Sequence, residues 1–229
     1  MKIVAISDTH GLHRELVLPK GDVIIHAGDF CDIGNEQHIF DFLTWFGELD
    51  FAHKIFIGGN HDFFAAEHPE EFASIIPKGI TYLNDSGIII NGVRFWGSPV
   101  KPDLVGWAFG KLRGTLMNEH WNHIPNQIDI LITHTPPYGI LDKPRSGISI
   151  GCEELSKRLK LLQPRLHIFG HVHASYGQFS KDGTLYMNAS NIHSEKGLVN
   201  LPIVFFCNFL NFSLQIINSI ACNLRVLIS

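Results

Sequence analysis

Five short apolar runs along this chain are each followed, within a few residues, by aspartate, asparagine or histidine. Ile3–Ile6 leads to Asp8 and His10, and Val23–Ile25 leads to Asp29. Ile55–Ile57 leads to Asn60 and His61, Ile128–Ile132 to His134, and Leu166–Phe169 to His171 and His173. Runs this short and rich in β-branched residues read as strands, and their alternation with helix-period segments is that of α/β architecture. Loops at the carboxyl ends of strands in such a sheet lie along one edge, so five distant segments can deliver side chains to one crevice. Glycines stand beside several of them, at Gly28, Gly58, Gly59 and Gly170, where a missing Cβ lets backbone approach a crowded centre.

Between the strands, residues 35–49 carry Ile39, Phe40, Phe42, Leu43, Phe46 and Leu49 at spacings near 3 and 4, which predicts an amphipathic helix. Glu153–Leu162 predicts another. Asn91-Gly92, between the arms of Ile88–Trp96, predicts a tight hairpin whose turn needs positive φ. Asp182-Gly183, between Tyr176–Phe179 and Thr184–Met187, predicts a second. No repeat or linker interrupts the pattern, so residues 1–205 are expected to form one domain, followed by an apolar extension over residues 206–229.

Composition narrows the function classes. With 45% hydrophobic and 17% charged residues the chain folds, and a net charge of −4 without a basic stripe argues against a surface for long nucleic acid. Cys31, Cys152, Cys207 and Cys222 lack metal-binding spacing and are expected to be free thiols. The four apolar residues before Ser7 are too few for a signal sequence, so a cytoplasmic location is expected. Histidine is abundant, at 14, and it is the commonest metal ligand.

The strand-end set holds two aspartates, one asparagine and up to four metal-suited histidines, with no thiolate. A mixed O/N set suits Mn²⁺, Fe or Zn²⁺ better than Ca²⁺ or Mg²⁺. Seven ligands are too many for one tetrahedral ion and about right for two that share a carboxylate. Two-metal sites clamp the attacking and leaving oxygens of a displacement at phosphorus, so the chemistry expected is phosphoester hydrolysis.

Asp8-Thr-His10, Gly28-Asp29-Phe-Cys-Asp32, Gly59-Asn60-His61-Asp62, His134 and Gly170-His171-Val-His173 resemble, in order, the motifs of the calcineurin-like metallophosphoesterases. Ser7-Asp-Thr-His-Gly11, Trp96-Gly-Ser-Pro99, Thr133-His-Thr-Pro-Pro137, Gly151-Cys152 and Asn200-Leu-Pro-Ile-Val204 resemble the branch of metallophosphoesterase-domain proteins of animals and their bacterial relatives. The resemblance implies a sandwich of two β-sheets flanked by helices, with a dimetal site at the C-terminal ends of the strands. It implies a phosphodiesterase acting on a small, nucleotide-like phosphoester, with two divalent ions, Mn²⁺ first and Fe or Zn²⁺ as alternatives. By position it assigns Asp8, His10, Asp29 and His173 to one ion and Asp29, Asn60, His134 and His171 to the other, with Asp29 bridging. His61 would face the phosphate and protonate the leaving oxygen, Asp62 would fix its tautomer, and Asp32 would be an outer partner. Two other readings share these motifs: a non-catalytic metal-binding scaffold and a phosphoprotein phosphatase.

The remaining histidines carry plainer expectations. His26 and His167 lie within apolar strands and should be hydrogen-bonded core residues. His38, His53, His68, His120 and His123 should lie at the surface or on helices, while His13 and His193 could line the mouth of the site. Trp107 and Phe109 could stack a base or simply pack. In the extension, Asn208, Asn211, Gln215, Asn218 and Ser219 recur every 3–4 positions, so a helix there would carry a polar stripe opposite an apolar face. That face could pack on the domain, on a partner or at a bilayer surface, and an altered reading frame would yield a similar stretch.

Overall fold

The computed structural model describes residues 1–33, 36–102, 106–193, 197–198, 200–207 and 214–216. Two six-stranded sheets face one another. The first runs in the order β16 (Leu214–Ile216), β15 (Ile203–Cys207), β1 (Lys2–Ile6), β2 (Val23–Ala27), β3 (His53–Ile57), β4 (Ile80–Tyr82). β1 to β4 are parallel, and β15 closes antiparallel on β1 with Ile3 opposite Phe205. The second runs β11 (Gly177–Lys181), β12 (Thr184–Asn188), β10 (Leu166–Phe169), β9 (Ile130–Thr133), β6 (Val93–Ser98), β5 (Ser86–Ile90). Its four inner strands are parallel, and an antiparallel hairpin closes each edge. Two short ribbons, β7 (Lys101–Pro102) with β8 (Gly110–Lys111) and β13 (Ile192–His193) with β14 (Gly197–Leu198), complete the strands among the described residues.

The period-2 alternation of the strands assigns each side chain to a layer. In β1, Ile3 and Ala5 point between the sheets, where they meet Ile25, Ile55 and Ile57 of the first sheet and Phe95, Ile130, Ile132, Ile168 and Met187 of the second. Val4 and Ile6 point the other way, onto Ile39, Phe42, Leu43 and Phe46 of helix α1 (Glu36–Glu48) and Phe72. Phe30 and Phe42 stack there at 4.5 Å, a geometry worth about 0.5–1.5 kcal/mol beyond the area it buries. On the far side of the second sheet, Leu131, Phe169 and Tyr186 pack beneath Met117 and Trp121 of the helix at Thr115–Asn122 and Leu155, Leu159 and Leu162 of the helix at Glu153–Leu162. The layers are therefore helix, sheet, sheet, helix.

Both hairpins turn where the sequence predicts. Ile90 pairs with Val93 across Asn91 (φ 50°) and Gly92 (φ 80°), and Lys181 pairs with Thr184 across Asp182 (φ 50°) and Gly183 (φ 80°). Two consecutive positive φ values match the right-handed twist of the arms. The helix over residues 35–49 is present as Glu36–Glu48, and the one over Glu153–Leu162 has those bounds.

The C-terminal expectation changes. β15 continues to Cys207, past residue 205, and Leu214–Ile216 adds to it as an antiparallel strand, with Phe205 opposite Ile216. A helix does not cover that stretch, because an open sheet edge offers its backbone a ladder. Asn208, Asn211, Asn218, Ser219 and Cys222 lie outside the described residues. Cys31, Cys152 and Cys207 are free and buried. Among the described residues no helix is long and apolar enough to cross a membrane.

Candidate metal centre

The carboxyl ends of β1, β2, β3, β9 and β10 converge, and backbone hydrogen bonds lock their loops together. Asp8 N–H donates to Gly28 O (2.9 Å), His10 N–H to Asp29 O (3.1 Å), and Gly170 N–H to His134 O (3.2 Å). The Asp8 carboxylate accepts His171 N–H at 3.0 Å, which ties the first sheet to the second. Asp29 Oδ1 accepts His61 N–H at 2.9 Å.

Two groups of side chains point inward. Asp8, His10 and His173 place one ligand atom each within 4.8 Å of one another, and Asp29, His134 and His171 do the same. Asp29 stands between them: its Oδ2 is 3.2 Å from His134 Nε2 and 3.9 Å from His10 Nε2. Asn60 joins the second group through Oδ1, 3.1 Å from His134 Nε2. The structure thus brings together Asp8, His10, Asp29, Asn60, His134, His171 and His173. Asp8 (φ 54°), His10 (φ 44°), Asp29 (φ 55°) and His171 (φ 68°) sit in the left-handed region, a conformation that costs about 1–3 kcal/mol at non-glycine residues and clusters at functional sites.

The close approaches need glycine at two points. A Cβ on Gly59 would overlap Asp29 Oδ1, and one on Gly170 would overlap Ser7 Oγ and Asp8 Oδ2. Burial works against the charges of Asp8 and Asp29, yet neighbouring histidines outweigh it. His173 holds the Asp8 carboxyl below its ordinary range, and His134 and His10 do so for Asp29. Burial also presses His134 downward, but the Asp29 charge beside it raises its pKa to about 9.

His61 lies at the rim. Its ring meets His10 edge-on at 4.5 Å and Trp107 at 4.9 Å. Its Nε2 is 4.0 Å from Asp29 Oδ2, and its Nδ1 is 4.0 Å from Asp32 Oδ1, so His10, Asp32 and His61 form a third cluster. Asp62 departs from expectation. Its Oδ2 accepts the N–H groups of Gly59 (2.7 Å) and Asp29 (3.0 Å), and its Oδ1 accepts that of Cys31 (2.9 Å). His61 Nδ1 has no hydrogen-bond partner, so Asp62 does not fix the tautomer of that ring. The turn after Asn60 aims the carboxylate at unpaired amides instead, and burial together with the Asp29 charge raises its pKa.

Other histidines sort by contact. His26 and His167 are fully buried and hydrogen-bonded to Thr9 (3.0 Å) and Thr133 (2.8 Å). His13 is not at the mouth: it is buried, with Nε2 3.0 Å from Asp41. His120 lies on the Thr115–Asn122 helix, as expected, and is buried between Ser98 Oγ (3.1 Å) and Asp85 Oδ1 (3.2 Å). The side chain of His193 lies outside the described residues. Lys101, which the sequence pattern did not single out, lies in a wall shared with His171 and His173. The clue was its position two residues past Pro99, where a further strand of the second sheet has just ended.

The calcineurin-like phosphoesterase family model matches residues 1–175. Over 227 aligned residues the chain is 38% identical to human "Metallophosphoesterase domain-containing protein 1", covering 89% of this chain and 70% of that protein. Among solved structures, TT1561 of Thermus thermophilus superposes with a TM-score of 0.57 at 13% identity, covering 82% of this chain and 88% of that one. An archaeal phosphodiesterase superposes with a TM-score of 0.50 at 16% identity, covering 95% and 99%. The ordered strand-end Asp, Asn and His residues, the facing sheets and these similarities lead to one conclusion: the chain belongs to the calcineurin-like phosphoesterases.

Proposed function

We propose that the chain is a phosphodiesterase that works with two divalent metal ions, Mn²⁺ foremost, at the centre described above. The observation that carries this reading is the position of Asp29 between two inward-facing groups of acceptors. The donor set fits cations. His134 Nδ1 lies 3.0 Å from Ala27 O and donates its proton there, so Nε2 faces Asp29 Oδ2 and Asn60 Oδ1. The raised pKa of His134 keeps a proton on that nitrogen between two acceptor oxygens, a position that a divalent cation would take by displacing the proton. His10 Nε2 and His173 Nε2 face each other at 3.4 Å. Asp8, His10, Asp29 and His173 would hold one ion, and Asp29, Asn60, His134 and His171 the other. When bound, such ions supply Lewis acidity, lowering the pKa of an attacking water and offsetting charge on phosphoryl oxygens.

The chain's own residues supply the rest. The oxygen of water bonds to phosphorus and gives up a proton to solvent, the P–O bond to the leaving group breaks, and His61 Nε2 delivers its proton to the departing oxygen and is reprotonated from solvent. Burial lowers the pKa of His61, and the carboxylates of Asp29 and Asp32, 4.0 Å from Nε2 and Nδ1, act against that shift and toward the charged ring that this transfer requires. Cavities on two flanks favour a diester over a monoester, because each can take one substituent of phosphorus. One, of about 150 Å³, is lined by His61, Asp32 and Phe63, and the other, of about 500 Å³, by His171 and His173. The archaeal structural neighbour described as a phosphodiesterase agrees with this reading. The test is metal analysis of purified protein with hydrolysis of bis(p-nitrophenyl) phosphate and p-nitrophenyl phosphate across a Mn²⁺ titration. Two equivalents at full activity and faster hydrolysis of the diester are expected. Full activity after exhaustive chelation, or faster hydrolysis of the monoester, would overturn it.

A further inference from the structure

The two cavities differ in the charge of their walls. The one beside His61 carries Asp32 and Glu67, whereas the one beside His171 and His173 carries Lys101 and Arg145. Both cations stand on braced backbone. Lys101 belongs to the β7–β8 ribbon, its N–H donating to Phe109 O at 3.1 Å. The loop bearing Arg145 is pinned by Asp142, whose Oδ2 accepts Gly139 N–H (2.9 Å) and Gly151 N–H (3.1 Å). It is also fastened to the turn that carries His173, since Ser175 Oγ donates to Lys143 O (2.7 Å) and accepts Lys143 N–H (3.1 Å).

We infer that the Lys101–Arg145 cleft binds a second anionic group of the substrate, carried on the substituent that stays bonded to phosphorus. This rests on the phosphodiesterase reading and adds a direction to it. The leaving group must lie within reach of His61, in the cavity whose carboxylates repel anions. The retained portion then extends past His171 and His173, where two cations from separate segments meet it. On a chain of net charge −4, a local cationic wall selects among substrates as well as attracting them. The substrate class is a phosphodiester whose retained half carries a further phosphate or carboxylate.

The test uses the full chain loaded with Mn²⁺ and two chromogenic diesters with the same leaving group. One is thymidine 5′-(p-nitrophenyl phosphate), and the other bears an added 3′-phosphate. Calorimetry of the corresponding products, thymidine 5′-monophosphate and thymidine 3′,5′-bisphosphate, gives a readout independent of turnover. The added phosphate should lower KM and the product Kd by about 10-fold, the scale of one good charge-assisted contact. Lys101→Ala and Arg145→Ala should each shrink that preference, and the double variant should abolish it. Equal values for both members of each pair in the wild type, or a preference that survives in the double variant, would overturn the inference. Should neither diester turn over while the bisphosphate still binds more tightly through these residues, the cleft stands and the phosphodiesterase reading fails. Turnover of both with no preference gives the reverse.

Discussion

The carboxylate of Asp62 holds the backbone of Asp29, accepting its N–H at 3.0 Å, and leaves the neighbouring His61 ring untouched. One buried side chain thereby fixes the left-handed turn that presents Asp29, together with Gly59 and Cys31. Asp62→Ala strands three buried N–H donors, each costing about 1–3 kcal/mol. The urea midpoint should fall sharply and metal content should fall with it. Asp62→Asn should behave similarly, since its amide nitrogen must face an N–H group on one side. A variant with normal stability and metal but slow turnover would return Asp62 to a direct role at His61.

His61 and Asp29 should separate in their effects. His61→Ala should keep metal content close to wild type and lower kcat by about 10²–10⁴-fold, the scale of losing a general acid. Asp29→Asn weakens the charge shared by both ligand groups, so metal should be lost along with rate. Equal metal loss in the two variants, read by elemental analysis, would contradict this division.

Close packing makes Gly170 a stringent probe. Gly170→Ala places a methyl group against Ser7 Oγ and Asp8 Oδ2, so β1 and β10 must part or the Asp8 carboxylate must turn away. Reduced metal affinity should accompany a lowered melting temperature. A variant that binds metal as wild type does would show that this junction yields more readily than its contacts imply.

Two histidines outside the centre set an acid limit on stability. Thr133 donates its hydroxyl hydrogen to Thr135 O (2.7 Å), so His167 donates Nε2–H to Thr133, and its buried Nδ1 has no partner. Burial lowers the pKa of His167 to about 3, and that of His26 to about 3. Below about pH 6.5 the unfolded chain takes up a proton at each that the folded chain refuses, so stability falls from there toward pH 3. At pH 5 the loss should be about 2 kcal/mol per residue. Urea midpoints measured between pH 7 and pH 4.5 should show a shallower decline in His167→Gln, and an unchanged decline would assign the effect elsewhere.

Much of this was legible in the sequence because it is local. β-branched runs mark the strands, Asn91-Gly92 and Asp182-Gly183 mark the turns, and a polar residue just past a strand end has few directions in which to point. The helix at Pro69–Ile75 left a signal that went unread, with proline in its first turn followed by Glu70 and Glu71. The Thr115–Asn122 helix left little, since only Met117, His120 and Trp121 are buried along it. The partners of Asp62 and His13 were beyond local reading. Whether a carboxylate faces a ring or an amide, and whether a histidine turns outward or toward Asp41, depends on loops that other segments position. The meeting of Lys101 with Arg145 is of the same kind.

The candidate ligands leave two different sheets: Asp8, Asp29 and Asn60 follow strands of the first, while His134, His171 and His173 follow strands of the second. Away from the loops that carry these residues, the sheets meet through apolar, non-directional contacts. An ion bound across that seam acts as a rivet, and its binding energy becomes folding energy by mass action. Free metal concentration is then a thermodynamic variable of the whole sandwich and not of turnover alone. Starvation for metal should loosen the seam at its catalytic end first, and in a cell it would lower the amount of protein by exposing the chain to proteolysis as well as silencing what remains.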